Sequence, residues 1–393
     1  MPAISGPSDY SLEPPCHPCL QINAKASQFF CEPFNAEPPL SALVSSYVTP
    51  VELFYKRNHG PIPVVDDIER YCVDISGLIE TPKTLYMRDV RMLLKYNCAG
   101  NRRTAMSKTR EVRGVGWDVS SIGNESALFL HDFLLKYKKL FILSWEGGAK
   151  LADVFELIGI PKLTSCTRSG GKHVEFVSID KCKEENGGPY KASIPLTTAT
   201  NPEADVLLAY EINGEPLNRD HGFPLRVIVP CVIGGHSVKW LDSINIIAEE
   251  FQGFFMQKDY KMFPPSVDWG NIDWNTRKPQ MDSPVQSVIC SLEDVQPMKP
   301  GKVTIRGYAV AGGSRGIERV DVSIDGGKTW MEATRFQKTG ISYIADHITA
   351  TNGHGCYSRS QLISHTLLRL WPKLGILNTS WHRVHVRVGH SNM

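Results

Sequence analysis

Residues 275–285 are polar, contain Pro279 and Pro284, and follow neither a helical nor a strand period. Proline has no backbone donor, so such a stretch does not run through a helix interior or a central strand. It divides the chain into two folding units. Beyond it the pattern changes. Val303-Thr304-Ile305 alternates, and Val320, Val322 and Ile324 fall on one strand face. Asp325-Gly326-Gly327 is a turn signal, and Thr329-Trp330 starts a return strand. This predicts an antiparallel β-sandwich over residues 281–393. Gly312-Gly313-Ser314-Arg315-Gly316 lacks the strand-to-helix setting of a phosphate loop and reads as a hairpin loop.

The first unit is larger and of mixed type. Residues 1–40 are rich in proline and extended, and a domain follows over 41–280. Strands with a turn at Pro82 are expected between 67 and 89, and a helix over 151–157 stopped by Gly159 and Pro161. A strand is expected over 174–180, a buried segment over 207–213, and further strands around 225–232 and 238–246. The fold class is α+β.

Composition excludes some functions. A net charge of +2 over 393 residues gives no field for nucleic acid or a membrane surface, so any positive region is local. The most apolar run, 127–145, carries His131, Asp132, Lys136, Lys138 and Lys139. It is a poor membrane span and reads as an amphipathic helix. The polar first ten residues hold no secretory core, and the 10 cysteines are scattered. A reducing or peroxisomal compartment with free thiols is expected. Cys16-His17-Pro18-Cys19 has no second pair to complete a zinc site and reads as a surface loop.

The stretch with the most chemistry is Cys98-Ala99-Gly100-Asn101-Arg102-Arg103. Neighbouring arginines hold a thiol toward its thiolate, the form that ligates a soft metal. Paired guanidinium groups also match a tetrahedral oxyanion in fork geometry. Arg113 and Trp117 add a further cation and an aromatic wall. Spacing alone leaves the ordinary alternative open, that of a small buried cysteine.

The run 97–117 resembles the cofactor-ligating segment of the sulfite oxidase family, in its plant form. Tyr55-Lys56-Arg57-Asn58-His59-Gly60, the stretches 183–190 and 218–224, and Trp381-His382-Arg383-Val384 resemble it too, in the family's order. The resemblance implies a sulfite-oxidase-type molybdopterin-binding domain followed by an immunoglobulin-like dimerisation domain. It implies oxidation of sulfite to sulfate at a molybdenum–molybdopterin centre, one per subunit, with Cys98 on the metal. Arg57, Arg103 and Arg113 would capture the anion, Trp117 would shape the pocket, and Tyr260 would lie at the reacting oxygen. The cofactor would rest on Tyr55, Lys56, Arg57, Asn58, His59, Ser178, Ile179, Asp180, His221, Arg226, Ser237, Val238 and Lys239. A homodimer, no haem, dioxygen as acceptor and hydrogen peroxide as by-product complete the expectation. The tail Ser391-Asn392-Met393 resembles a variant of the peroxisomal tripeptide.

Four departures from the family pattern stand out. Residues 26–31 read as an extra insert. A strand expected ahead of Cys98 is missing, because Lys95-Tyr96-Asn97 runs straight into the cysteine. Residues 126–144 read as an insertion after Asn124. Residues 349–374 lack the family's alternation, and Leu374 stands where the family has a substrate-binding arginine. His236 likewise stands where the plant pattern has arginine. These departures keep two rivals open: a non-catalytic splice isoform and, within the class, a nitrate-reducing molybdenum domain.

Overall fold

A computed structural model describes residues 4–5, 14, 16–19, 21–22, 34–45, 49–94, 146–230, 232–264, 266–282, 286–292, 297–298, 304–310, 319–325, 327–336, 343–346, 356–361, 382–384 and 387–388. The expected amphipathic helix at 127–145, the junction ahead of Cys98, the insert at 26–31 and Leu374 lie outside them.

The first unit is built on a five-stranded mixed sheet in the spatial order Pro189–Pro195, His173–Lys181, Leu241–Ile247, Cys72–Gly77, Lys83–Tyr86. Leu241–Ile247 runs parallel to Cys72–Gly77, and the other pairs are antiparallel. Register explains the layering. Ala192, Phe176, Ile244 and Ile75 lie opposite one another across four strands, all at 1% exposure or less. Each large side chain in such a row contributes about 1.5–3 kcal/mol by leaving water. One residue along, side chains point to the other face. There Ser76 donates to Asn245 Oδ1 at 2.8 Å and Asn245 Nδ2 to Glu175 Oε1 at 3.0 Å. The half-buried polar row therefore satisfies its own hydrogen bonds.

A second sheet centres on Leu207–Ile212, flanked by Glu146–Lys150 and Arg226–Ile228. Gly148 is required there, since a Cβ would sit 2.2 Å from the Leu208 carbonyl oxygen. The helix Leu151–Leu157 follows as expected, burying Leu151, Ala152, Val154 and Phe155. Lys162 closes its end on Asp153 at 2.7 Å and Glu156 at 2.9 Å, and Gly159 leaves it at φ +86°. A small three-stranded sheet, Gln21–Ile22, Phe34–Glu37 and Lys56–Asn58, lies to the N-terminal side in sequence. The strands anticipated over 225–232 and 238–246 are shorter and later, Arg226–Ile228 and Leu241–Ile247, the second held back by Trp240, which sits in the left-handed region at φ 47° just ahead of it.

The second unit holds two four-stranded antiparallel sheets. One runs Gln286–Ile289, Gly307–Val310, Tyr343–Asp346, Thr334–Phe336; the other runs Met331–Glu332, Arg319–Ser323, Cys356–Gln361, His382–Val384. Gln286–Ile289 lies against both Cys356–Gln361 and His382–Val384, so the sheets are neighbours. The strand expected from Val303 begins at Gly307. Arg319–Ser323 buries both faces: Val320 and Val322 are at 4% and 3% exposure, and Asp321 and Ser323 at 2% and 0%. Asp321 tolerates this because Arg319 grips it with two bonds of 3.0 Å. Residues 349–374, read as irregular, contain the strand Cys356–Gln361.

Leu43, Phe54, Ile212, Leu217 and Cys290 form a separate buried cluster, with Val288 and Tyr308 packed on it. It fastens the root of the second unit to the first. No helix among the described residues is long and apolar enough to cross a membrane.

Candidate functional site

The stretch Tyr55 to Gly60 supplies the first wall. Lys56–Asn58 is a strand paired with Phe34–Glu37, so its side chains alternate: Lys56 and Asn58 are buried and Arg57 is exposed. Gly60 is fixed by contact, because a Cβ there would lie 2.1 Å from the Lys181 carbonyl oxygen. Lys56 reaches the turn Arg219–His221 and bonds Asp220 Oδ2 at 2.7 Å, with both side chains under 9% exposed. Asn218 begins that turn, and its Oδ1 accepts from the His221 backbone N–H at 3.1 Å and from Nδ1 at 2.6 Å. Burial, then the charges of Lys239 and Arg226, hold the His221 pKa well below the usual imidazole value. The ring is neutral, and the shorter contact puts its proton on Nδ1.

Lys239 is the hub. Its ammonium donates to the carbonyls of Arg57 at 2.8 Å and Asp220 at 3.0 Å, contacts Asn58 Oδ1, and lies 4.4 Å from the Trp240 ring centroid. Burial and then Arg226 push its pKa down, against the pull of Asp180 and Asp220. Ser178 Oγ donates to the Lys239 carbonyl at 2.8 Å, and the Ile179 N–H donates to the Trp240 carbonyl at 2.8 Å. Arg226 donates to the Ser237 carbonyl at 3.5 Å, while Ser237 Oγ accepts from Val229 N–H at 3.0 Å. Val238 is at 1% exposure, and its carbonyl closes on Val227 N–H at 2.8 Å.

Asn58 Nδ2, His59 Nδ1 and Asp180 Oδ1 are buried here with no hydrogen-bond partner among the described residues. Burial, then Arg57 and Lys239, lower the His59 pKa to about 3, so its ring is neutral. Burial raises the Asp180 pKa. A donor, an imidazole nitrogen and an acceptor left unpaired beside several cations suit a ligand that is anionic at one part and both donating and accepting at another. A pterin carrying a phosphate has that chemistry, and the residues present fit it.

The structure thus gathers Tyr55, Lys56, Arg57, Asn58, His59, Ser178, Ile179, Asp180, His221, Arg226, Ser237, Val238 and Lys239 around one region. Tyr260, at 5% exposure, stands beside it: Phe255 and His236 flank its ring at 6.0 and 5.5 Å, its hydroxyl contacts that of Tyr190, and the Arg57 charge acts on it. Cys98, Arg103, Arg113 and Trp117 lie outside the described residues. His236, which stands where the plant pattern has arginine, is fully buried with Nδ1 3.1 Å from the Ile233 carbonyl. Asp220, Tyr190 and Trp240 were not singled out in sequence. Asp220 was legible, since a buried lysine needs a carboxylate partner; Tyr190 and Trp240 carried no signal.

A family described as "Oxidoreductase molybdopterin binding domain" matches residues 59–127 and 130–255, and one described as "Mo-co oxidoreductase dimerisation domain" matches 277–363. The chain is 62% identical to the sulfite oxidase of Arabidopsis thaliana over the whole of both chains. It is 39% identical to that of Gallus gallus, covering 95% of this chain and 79% of the other. A "Nitrate reductase [NADH]" of Petunia hybrida is 29% identical, over 91% of this chain and 40% of that one. In fold, the sulfane dehydrogenase SoxCD of Paracoccus pantotrophus superposes with a TM-score of 0.61 at 20% identity, over 87% of this chain and 79% of the other. The full-length identity and the two matched domains lead to one conclusion: the chain belongs to the sulfite oxidase family of molybdopterin oxidoreductases.

Proposed function

We propose that the chain oxidises sulfite to sulfate at a mononuclear molybdenum–molybdopterin centre held in the 41–280 domain. The observation that carries this reading is the set of unpaired buried atoms on Asn58, His59 and Asp180 beside Lys56, Arg226 and Lys239. Lys239, Arg226, His221 and Ser237 would hold the phosphate end, and Asn58, His59 and Asp180 the pterin edges, with the main chain of Tyr55, Ile179 and Val238 framing them. Cys98 would supply the thiolate to the metal. When bound, the cofactor supplies the oxygen-atom transfer and takes the two electrons that leave sulfite sulfur, water replacing the oxygen and releasing two protons.

The chain's own share is anion capture. Arg57 faces outward from its strand, next to the pterin contacts, where a fixed charge with forked donors suits a dianion. Arg103 and Arg113 would complete the capture, with Trp117 as a wall. Dioxygen would accept the two electrons and two protons to give hydrogen peroxide, with no haem between. The 281–393 domain, immunoglobulin-like in this reading, would pair two chains, and the tail at 391–393 would address the dimer to the peroxisome.

The test is expression in a cofactor-competent host, then molybdenum per chain and sulfite-dependent oxygen uptake on the dimer-sized fraction. About one metal per chain with one peroxide per sulfite is the expected result. A metal-free or aggregated chain would favour the non-catalytic isoform. Nitrate-dependent oxidation of a reduced dye without sulfite turnover would favour the nitrate-reducing reading.

A further inference from the structure

The Tyr190 hydroxyl lies 2.7 Å from the Gly235 carbonyl oxygen and also contacts the Tyr260 hydroxyl. A phenol has a single proton to donate, and a carbonyl has none. If Tyr190 donated to Tyr260, the Gly235 carbonyl would face a bare oxygen lone pair at hydrogen-bond distance. The arrangement that satisfies every group runs in one direction: Tyr260 donates to Tyr190, and Tyr190 donates to Gly235. We propose that Tyr190 is the positioning residue for Tyr260, claiming its proton and leaving only its oxygen lone pairs to face the reaction site.

Four features hold the relay in place. Both tyrosines are buried, at 6% and 5% exposure, so water does not compete for the protons. His59, one of the pterin-edge residues, stacks on the Tyr190 ring with centroids 4.9 Å apart and planes within 13°. Phe255 packs against both Tyr190 and His59, at 4.7 and 4.8 Å. Position 235 is closed to any side chain, since a Cβ would lie 2.0 Å from the Tyr260 hydroxyl oxygen. Burial raises the pKa of both phenols, so each keeps its proton at neutral pH. The resemblance implies a Tyr260 at the reacting oxygen. With its hydrogen claimed by Tyr190, Tyr260 meets a substrate or product there as an acceptor, and receives a proton or hydrogen bond rather than giving one.

The inference rests on the placement of Tyr260 at the reaction site, and the experiment separates the two. Phenol C–O stretching bands differ between donating and non-donating hydroxyls. They are read on the full chain carrying ring-labelled tyrosine, with and without cofactor, as the spectrum before minus after Tyr260→Phe. The band is expected at the donor position in the parent chain and at the non-donor position in Tyr190→Phe. Gly235→Ala, which displaces the Tyr260 ring while keeping Tyr190, is expected to move it the same way. An unmoved Tyr260 band in Tyr190→Phe overturns the proposal. Sulfite turnover with ferricyanide gives the second arm. Tyr190→Phe should lower kcat about 5-fold, the effect of one lost hydrogen bond, and the double variant should be no slower than Tyr260→Phe alone. Additive losses would overturn the positioning role. Unchanged turnover in Tyr260→Phe would remove Tyr260 from the reaction site and leave the infrared arm to decide the relay.

Discussion

Lys56 and Asp220, 164 residues apart in the chain, meet at 2.7 Å with both side chains almost wholly out of water. The pair ties the strand carrying Arg57 to the turn carrying His221, so it fixes two walls of the candidate site against each other. Removing one partner leaves a buried charge uncompensated, which costs about 3–5 kcal/mol. Asp220→Asn should therefore lower the urea midpoint sharply. Lys56→Met combined with Asp220→Leu should recover most of the loss. Equal destabilisation in the single and double variants would show that packing, not charge, is what the pair contributes.

Lys239 should govern cofactor retention. Lys239→Met removes donors to the main chain of Arg57 and Asp220 and a cation from the proposed phosphate pocket. Molybdenum per chain is expected to fall at least about 10-fold, since a charge-assisted bond contributes about 1.5–3 kcal/mol. Full metal loading in the variant would place the phosphate elsewhere.

His59 makes the fold acid-sensitive. Its folded pKa is lowered to about 3 from the ordinary imidazole value of 6.5, so the unfolded chain binds the extra proton between those values. Stability is complete above pH 6.5 and falls as the pH drops toward 3, by about 1.4 kcal/mol per unit at most. In the cofactor-free chain, His59→Gln should flatten the denaturation midpoint between pH 6 and pH 4. An unchanged acid slope would assign the effect to His221, which is lowered for the same reason.

Gly60→Ala should destabilise by about 1–3 kcal/mol, because the added methyl meets main chain at Lys181 and nothing flexible can yield. Thermal melting would register it. The shift should be accompanied by a change in near-ultraviolet circular dichroism from the adjoining His59–Tyr190 stack.

Much of the first unit was legible because its strands carry their own period. The apolar residues of 174–180, the turn at Pro82 and the stop at Gly159 each act locally. What escaped was set by distance. Nothing near Tyr190 in sequence marks it as Tyr260's partner, and that contact joins residues 70 apart. The burial of His236 is set the same way, because the turn Gly234–His236 directs it toward Tyr260. In the second unit, the pattern places Val320 and Val322 on one face and says nothing of Asp321 and Ser323, which are buried too, Asp321 on Arg319 and Ser323 on the turn at Asp325. Cys356–Gln361 lacks alternation and pairs all the same, between Arg319–Ser323 and His382–Val384. Its strand identity comes from its neighbours.

Phe54 belongs to the buried cluster on which Cys290, Val288 and Tyr308 rest, and its ring also meets His221 edge-on at 5.1 Å. One side chain is therefore shared between the foundation of the second unit and a wall of the candidate site. Heat that loosens the second unit uncovers Phe54 and slackens His221 in the same event. Calorimetry of the intact chain should record a single endotherm, and cofactor loss should begin with it.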